Sequence, residues 1–357
     1  MAQINAQRMA YVSSTGNGYK TVAFFYPSSA PEIKGVVQIC HGMAEYIARY
    51  EEMIAELNEA GYHVCGMDMP GHGQTYFLNE EKGYPKGYFG GAKNSWQMLL
   101  TDEMGLHEYA VEKFGRKGLK YILYGHSMGS FVVRSIYSTP RYNKQFDGYV
   151  FSSTMGPNPA VGFGKFLASV ACVFGGKKRK NHLLNVIAFG SYTKRIKNPK
   201  SGLDWLSTDE NEVRKYAEDP MCGFTFTSDG FRTLFSIISF MQSKTAYAQL
   251  PDRPCFFAYG SEDPVGSYGT GVEKVIAKMT EAGARVKSKN YGAYRHELMN
   301  EPDVKAEYFK DLIEYFDEVQ IAGKKRMAVK DFLIGFREPC TYSTSKGTSS
   351  QITGKHA

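Results

Sequence analysis

Ser127 stands in Gly125-His126-Ser127-Met128-Gly129, a G-x-S-x-G pattern that follows the apolar run Tyr121-Ile122-Leu123-Tyr124 and precedes Ser130-Phe131-Val132-Val133. Residues of these types at this spacing suit attack of a hydroxyl on an acyl carbon. The glycines leave room for a strained turn, and a helix opening behind it aims N–H groups at the oxygen that gains charge. Glycine and serine are common, so the pattern alone says little; its place between a strand-like and a helix-like run makes it specific. A hydroxyl is a weak nucleophile at neutral pH and needs a base.

Of the eight histidines, His41, His72 and His126 sit in Gly-rich segments. His63 opens a strand-like run, His107 lies within a helical one, His182 falls in a long insertion and His356 in a polar tail. That leaves His296, which follows the last strand-like run and precedes the final helix. A carboxylate should fix its tautomer. Phe256-Phe257-Ala258-Tyr259-Gly260-Ser261-Glu262-Asp263-Pro264 offers Asp263, with Glu262 as the adjacent rival; Gly-x-x-Asp after this strand favours Asp263. Two N–H donors should face the developing oxyanion. One is Met128, after the nucleophile. The other belongs to the loop after Val36-Val37-Gln38-Ile39-Cys40, in His41-Gly42-Met43-Ala44-Glu45, with Met43 the expected donor.

The elements that must position these residues are legible as alternating runs. Tyr19–Tyr26, Val36–Cys40, His63–Met69, Lys120–Tyr124, Tyr149–Ser153, Cys255–Tyr259 and Val286–Tyr291 read as strands. Tyr46–Ala60, Ser95–Phe114, Met128–Tyr137, Gly271–Ala282 and Asp303–Val319 read as helices. Strands that are apolar almost throughout need cover on both faces, and with the alternation they predict an α/β fold with a mostly parallel sheet flanked by helices. Residues 1–155 and 251–322 form the expected core. Residues 156–250 interrupt it with helical runs at Phe163–Phe174, Leu183–Phe189 and Gly230–Tyr247, and read as an inserted, mainly helical cap. Residues 323–357 are polar and rich in Ser, Thr and Lys, and read as an extension, partly disordered, above all over Tyr342–Ala357.

Composition narrows the classes. The first residues lack the basic start and apolar run of a signal peptide, and no stretch is apolar enough to span a membrane. Six cysteines occur singly, without a CxxC pair, so reduced core residues in the cytoplasm are expected rather than disulfides or a metal site. A net charge of +7 with only short basic clusters fits weak attraction to anionic lipid or simple solubility, and no nucleic-acid module is present. Neither metal nor organic cofactor is expected.

Four blocks together resemble the monoglyceride lipase and lysophospholipase branch of the α/β-hydrolases, a group also classed with serine aminopeptidases. They are His41-Gly42-Met43-Ala44-Glu45, Asp68-Met69-Pro70-Gly71-His72-Gly73-Gln74-Thr75, Gly125-His126-Ser127-Met128-Gly129, and Gly260-Ser261-Glu262-Asp263 with His296-Glu297. The resemblance implies the α/β-hydrolase fold, an oxyanion hole built on the His41, Gly42, Met43 and Glu45 loop, and bracing by Asp68, Gly71, His72 and Gly73. It also implies a serine hydrolase acting on a lipid ester, monoacylglycerol or lysophospholipid.

In the cap, Phe163, Phe166, Leu167, Val170, Ala171, Val173 and Phe174 form a broad apolar surface, with Lys177-Lys178-Arg179-Lys180 directly after it. These suit an acyl pocket; its rim either touches an anionic membrane transiently or is a cap helix packed on the core beside a solvated basic loop, the latter reading slightly ahead. Two other activities stay open. Glu210, Glu212, Glu218 and Asp219 would suit the α-amino group of a peptide, although acidic clusters of this kind more often open a helix or stay solvated, and a small-ester carboxylesterase would need no acyl tunnel. A non-catalytic module on the same fold is disfavoured by the complete set of chemical groups.

Overall fold

A computed structural model of the chain describes residues 6–16 and 18–321. The expected extension at 323–357, with Cys340 and His356, lies outside them. The described chain folds around one eight-stranded sheet in the order β1-β2-β4-β3-β5-β6-β7-β8. The strands are β1 (Gln7–Val12), β2 (Lys20–Tyr26), β3 (Gly35–Cys40), β4 (Tyr62–Asp68), β5 (Lys120–His126), β6 (Gly148–Ser152), β7 (Pro254–Tyr259) and β8 (Arg285–Asn290). From β4 to β8 every neighbouring pair is parallel; β2 runs antiparallel to both β1 and β4. The sequence reading did not include β1, whose outer half is exposed and whose six residues carry little pattern.

The strand order reverses between β3 and β5, so the loops after these two strands diverge at the middle of the sheet and open a crevice at their carboxyl ends. Helices cover both faces. α1 (Glu51–Glu59) is amphipathic, burying Met53, Ile54 and Leu57. The seven-residue α2 (Gly73–Asn79) occupies part of a block expected to be loop. α3 (Ser95–Phe114) and α4 (Met128–Tyr137) have the bounds read from the sequence.

Between β6 and β7 come α5 (Val161–Phe174), α6 (His182–Phe189), α7 (Glu210–Glu218), α8 (Ser228–Met241) and α9 (Lys244–Tyr247). The single helix expected over Gly230–Tyr247 is broken at Ser243, whose hydroxyl caps α9 by accepting from the Ala246 N–H at 3.1 Å. α7 has no bounds in the sequence reading, which allows its acidic cluster to open a helix; Asp209 caps it and Glu210 and Glu212 fill its first turn. After β7 come α10 (Thr270–Glu281) and α11 (Lys305–Glu318). α1 and α11 pack on one face of the sheet, and α3, α4 and α10 on the other. β8, with Arg285, Lys287 and Lys289, closes the edge with charge, a common protection for an exposed strand.

Candidate active site

The turn from β5 into α4 carries Ser127 at φ 52°, ψ −122°, in left-handed space that only a strongly held residue adopts. Its N–H donates to the Ser152 carbonyl on β6 at 3.0 Å. The glycines on either side have a packing reason. A Cβ at Gly125 would lie 2.5 Å from the Gly129 carbonyl oxygen, and one at Gly129 only 2.0 Å from the Cys40 carbonyl oxygen. Helix, nucleophile strand and β3 therefore touch through bare backbone. Met128 is the first residue of α4, so its N–H belongs to those that a helix leaves without an internal partner.

Asp263 and His296 meet from loops after β7 and β8. The His296 Nδ1–H donates to Asp263 Oδ2 at 3.0 Å, and Asp263 Oδ1 accepts from the Val265 N–H at 2.9 Å. Glu262, the rival carboxylate, is exposed to solvent. The opposite ring nitrogen, Nε2, is buried and without a hydrogen-bond partner. Ser127 and His296 line the same cavity, but the hydroxyl has not closed its hydrogen bond to Nε2; unliganded hydrolytic sites often hold this contact open. Burial pulls the His296 pKa down, while Asp263, Glu297 and Glu45 together carry it above its ordinary value. The ring lies between His126 and Trp205, with centroids 4.9 Å from each. Burial lowers the His126 pKa to about 4, so this neighbour is neutral.

The loop after β3 is braced from two sides. The Met69 N–H donates to His41 Nε2 at 2.9 Å, which leaves Nδ1–H to donate to the Gly42 carbonyl at 2.8 Å. His41 thus ties the Met43 loop to the Asp68–Gly73 loop. Asp68 accepts from the N–H groups of Ile47 and Gln74 at 2.9 and 2.7 Å. His72 donates to the Pro70 carbonyl at 2.9 Å and packs against Phe89, Phe224 and Phe226. Gly73 at φ 44° is needed because a Cβ there would meet the Asp68 carboxylate at 2.2 Å. Glu45 accepts from the Gly42 N–H and from the Tyr50 hydroxyl, the latter at 2.8 Å. Every residue read from the four sequence blocks as part of the site or its bracing is thereby placed at the sheet's carboxyl edge.

Sequence reasoning missed the residues that arrive from the insertion. Trp205 packs against His296 with its ring tilted by 52°, and the segment around it is stitched to the His296 loop. Arg295 donates to the carbonyls of Asp204 and Ser207 at 2.7 Å each, the Glu297 N–H donates to the Leu206 carbonyl at 2.7 Å, and Glu301 accepts from the Thr208 N–H at 2.8 Å. No local motif announces such contacts. Arg49 was missed as well, though its i,i+4 spacing from Glu45 was a usable signal.

A cavity of about 260 Å³ opens on Ser127, Met43, Met128 and His296 and runs between α5, α8 and the α6 end, past Val161, Leu234, Phe235 and Ile238. None of its lining residues is a lysine or arginine; besides histidine, its only charged side chains are Glu45 and Glu297. Among the described residues no cluster of three or more His, Cys, Asp or Glu side chains is arranged to hold a metal ion, and no helix is long and apolar enough to cross a membrane.

A mostly parallel sheet with a left-handed serine at the end of its central strand, an Asp–His pair after its last two strands and a helical insertion after β6 is an α/β-hydrolase. The chain belongs to the serine aminopeptidase, S33, family, whose model matches residues 31–303, and it is a serine ester hydrolase. It is similar to a monoacylglycerol lipase of Mycolicibacterium smegmatis, 27% identical over 280 residues that cover 76% of this chain and 84% of that one. Among solved structures it resembles a highly thermostable carboxyl esterase from Bacillus coagulans (28% identity, TM-score 0.79, 89% of this chain and 99% of that one). It also resembles a lipase solved in an open form (25% identity, TM-score 0.80, 88% and 99%).

Proposed function

We propose that the chain hydrolyses long-chain monoacyl esters with an uncharged head, as in a monoacylglycerol, through an acyl-enzyme on Ser127. The observation that carries the reading is the apolar cavity that ends at Ser127 and offers no cation. A buried phosphate needs a paired cation, and its desolvation would go uncompensated there. The resemblance to a monoacylglycerol lipase supports the same substrate class.

The residues have these roles. His296 Nε2 takes the Ser127 proton as Oγ attacks the ester carbonyl, while Asp263 holds the ring and stabilises the imidazolium. The N–H groups of Met43 and Met128 receive the oxyanion. His296 returns the proton to the departing alcohol, then draws one from the water that frees the fatty acid. Residues 156–250 serve as a cap on the core formed by 1–155 and 251–322.

The peptidase reading loses support because none of Glu210, Glu212, Glu218 and Asp219 lines the cavity. Glu210 pairs with Lys200, Glu212 with Lys215, and Asp219 accepts from Tyr46 at 2.7 Å. A membrane surface as the place of work is supported by α5 and α6, where Phe174 is 85%, Val173 75% and Leu183 70% exposed beside Lys177-Lys178-Arg179-Lys180. The described cysteines, Cys40, Cys65, Cys172, Cys222 and Cys255, are free and buried, which fits the cytoplasm.

A panel of one long-chain acyl group presented as monoacylglycerol, lysophosphatidic acid, short-chain ester and amino-acid arylamide tests the proposal. The expected order puts the long-chain monoacylglycerol first in kcat/KM, with arylamide cleavage at background. Lysophosphatidic acid ahead of monoacylglycerol, or a short-chain ester ahead of both, overturns it.

A further inference from the structure

We propose that Arg49 is a positioning residue: its guanidinium locks the Met43 loop and the His296 loop in one register and carries a cap helix on its face. This rests on the roles given above to Ser127, His296 and Met43.

Arg49 lies in the short 3₁₀ helix Ile47–Tyr50, four residues after Glu45, and its side chain is only 11% exposed. A guanidinium that far from water is tolerated only with good partners. It has two. One Nη donates to Glu45 at 2.6 Å, and the fork grips Glu297 with bonds of 2.9 and 2.8 Å. Burial alone would raise the Glu297 pKa, but Arg49 overrides it and brings the carboxyl to about 2, so the fork meets a full carboxylate.

Each carboxylate is one step from the chemistry. The other oxygen of Glu45 accepts from the Gly42 N–H, in the peptide next to Met43, and a Cβ on Gly42 would come within 3.2 Å of the Ser127 Cβ. Glu297 follows His296 directly, and its second oxygen is held by the Asn300 amide at 2.8 Å. The third connection is to the cap. The Tyr216 ring on α7 lies over the guanidinium, 4.8 Å from carbon to centroid, and its hydroxyl donates to the Ala44 carbonyl at 3.0 Å. Ala44 is itself at φ 53°, a left-handed residue held by this bond and by one from the Gly223 N–H at 3.0 Å. One side chain thus fixes the spacing between the oxyanion donor and the base, which a catalytic line needs to within about 1 Å. Lysine carries the charge but not the planar two-pronged fork.

The experiment compares Arg49→Lys and Glu297→Gln with the parent chain. Both keep hydrogen-bonding groups in place, and circular dichroism checks that each variant folds. Active sites are titrated with a fluorophosphonate, kcat and KM are measured on a soluble short-chain ester, and affinity for an alkyl boronic acid, which forms a tetrahedral anion on the serine, is determined. Per titrated site, kcat should fall about 10²-fold in Arg49→Lys with KM changed by less than about threefold, and boronate affinity should fall with kcat. Glu297→Gln should lose less, about tenfold, because a neutral amide still accepts one bond. A side chain that only stabilises the fold would lower the number of titrated sites and leave each remaining site normal. That result, or a loss confined to KM, overturns the proposal. Absence of labelling in the parent chain would instead sink the assignment of the site itself.

Discussion

The insertion between β6 and β7 contains two regions built on opposite principles. Its later part, from Leu203 to Gly223, is joined to the active-site loops by directional polar bonds: Arg295 to Asp204 and Ser207, Glu301 to Thr208, Tyr216 and Gly223 to Ala44. In its earlier part directional bonds lie mainly in the connector after α5, where the Ser228 and Asp229 N–H groups donate to the Arg179 and Lys177 carbonyls at 2.9 and 3.2 Å. α5 itself packs on α8 through apolar contacts, and α5 and α6 turn a bare apolar face outward. Packing at α5 depends on closeness rather than direction; a Cβ at Gly164 would already meet the Phe235 ring at 3.2 Å. Polar bonds fix a register, whereas apolar contact tolerates sliding. On this view the first region sets the geometry of the reaction, and the second governs how a lipid reaches it.

The sharpest way to break that division is at Glu301. Its carboxylate is fully buried and accepts from Thr208 and from the Arg295 N–H, so Glu301→Ala removes the clamp at one end of the stitched segment and loosens its hold on the His296 loop. We expect kcat on a soluble short ester to fall about 10²-fold with the fold retained, as checked by steady-state kinetics and circular dichroism. Unchanged turnover would show that the stitched region has no part in geometry.

The outward region should give the smaller and opposite result. Lys177 is bonded to the Gly91 carbonyl at 2.8 Å and Lys178 sits 4.7 Å over the Tyr84 ring, so both have work within the fold. Arg179 and Lys180 extend into solvent. The double substitution Arg179→Gln, Lys180→Gln should weaken co-sedimentation with anionic vesicles about 10- to 30-fold, at about 1 kcal/mol per charge. Its kcat on a soluble ester should stay within about twofold. Equal binding to vesicles by both proteins removes the surface-docking role, and a large loss in kcat would erase the contrast between the two regions.

The sequence made one side of this comparison far more readable than the other. Ser127, Asp263 and His296 each follow a strand within a few residues, so local pattern locates them, and the sequence bounds of α3 and α4 agree with the structure to the residue. Trp205, Tyr216 and Glu301 join the site through tertiary contacts across tens of residues, and nothing in their immediate neighbours records the partner. Asp209 before Glu210 is a readable helix start, and the acidic first turn agrees with it, but the segment's short apolar pattern sets no bounds for α7. The apolar run of α5 was readable as an apolar surface, but which of its residues face outward was not, since hydrophobicity alone does not say whether protein or lipid is the cover.

The central claim is that Ser127 carries the acyl group. Brief treatment with a fluorophosphonate followed by peptide mass spectrometry should find one adduct, on the peptide containing Ser127. A long-chain monoacylglycerol should compete it away, and Ser127→Ala, which should cost about 10⁶-fold in kcat, should abolish it. An adduct on another residue, or ester hydrolysis that survives Ser127→Ala, would contradict the account.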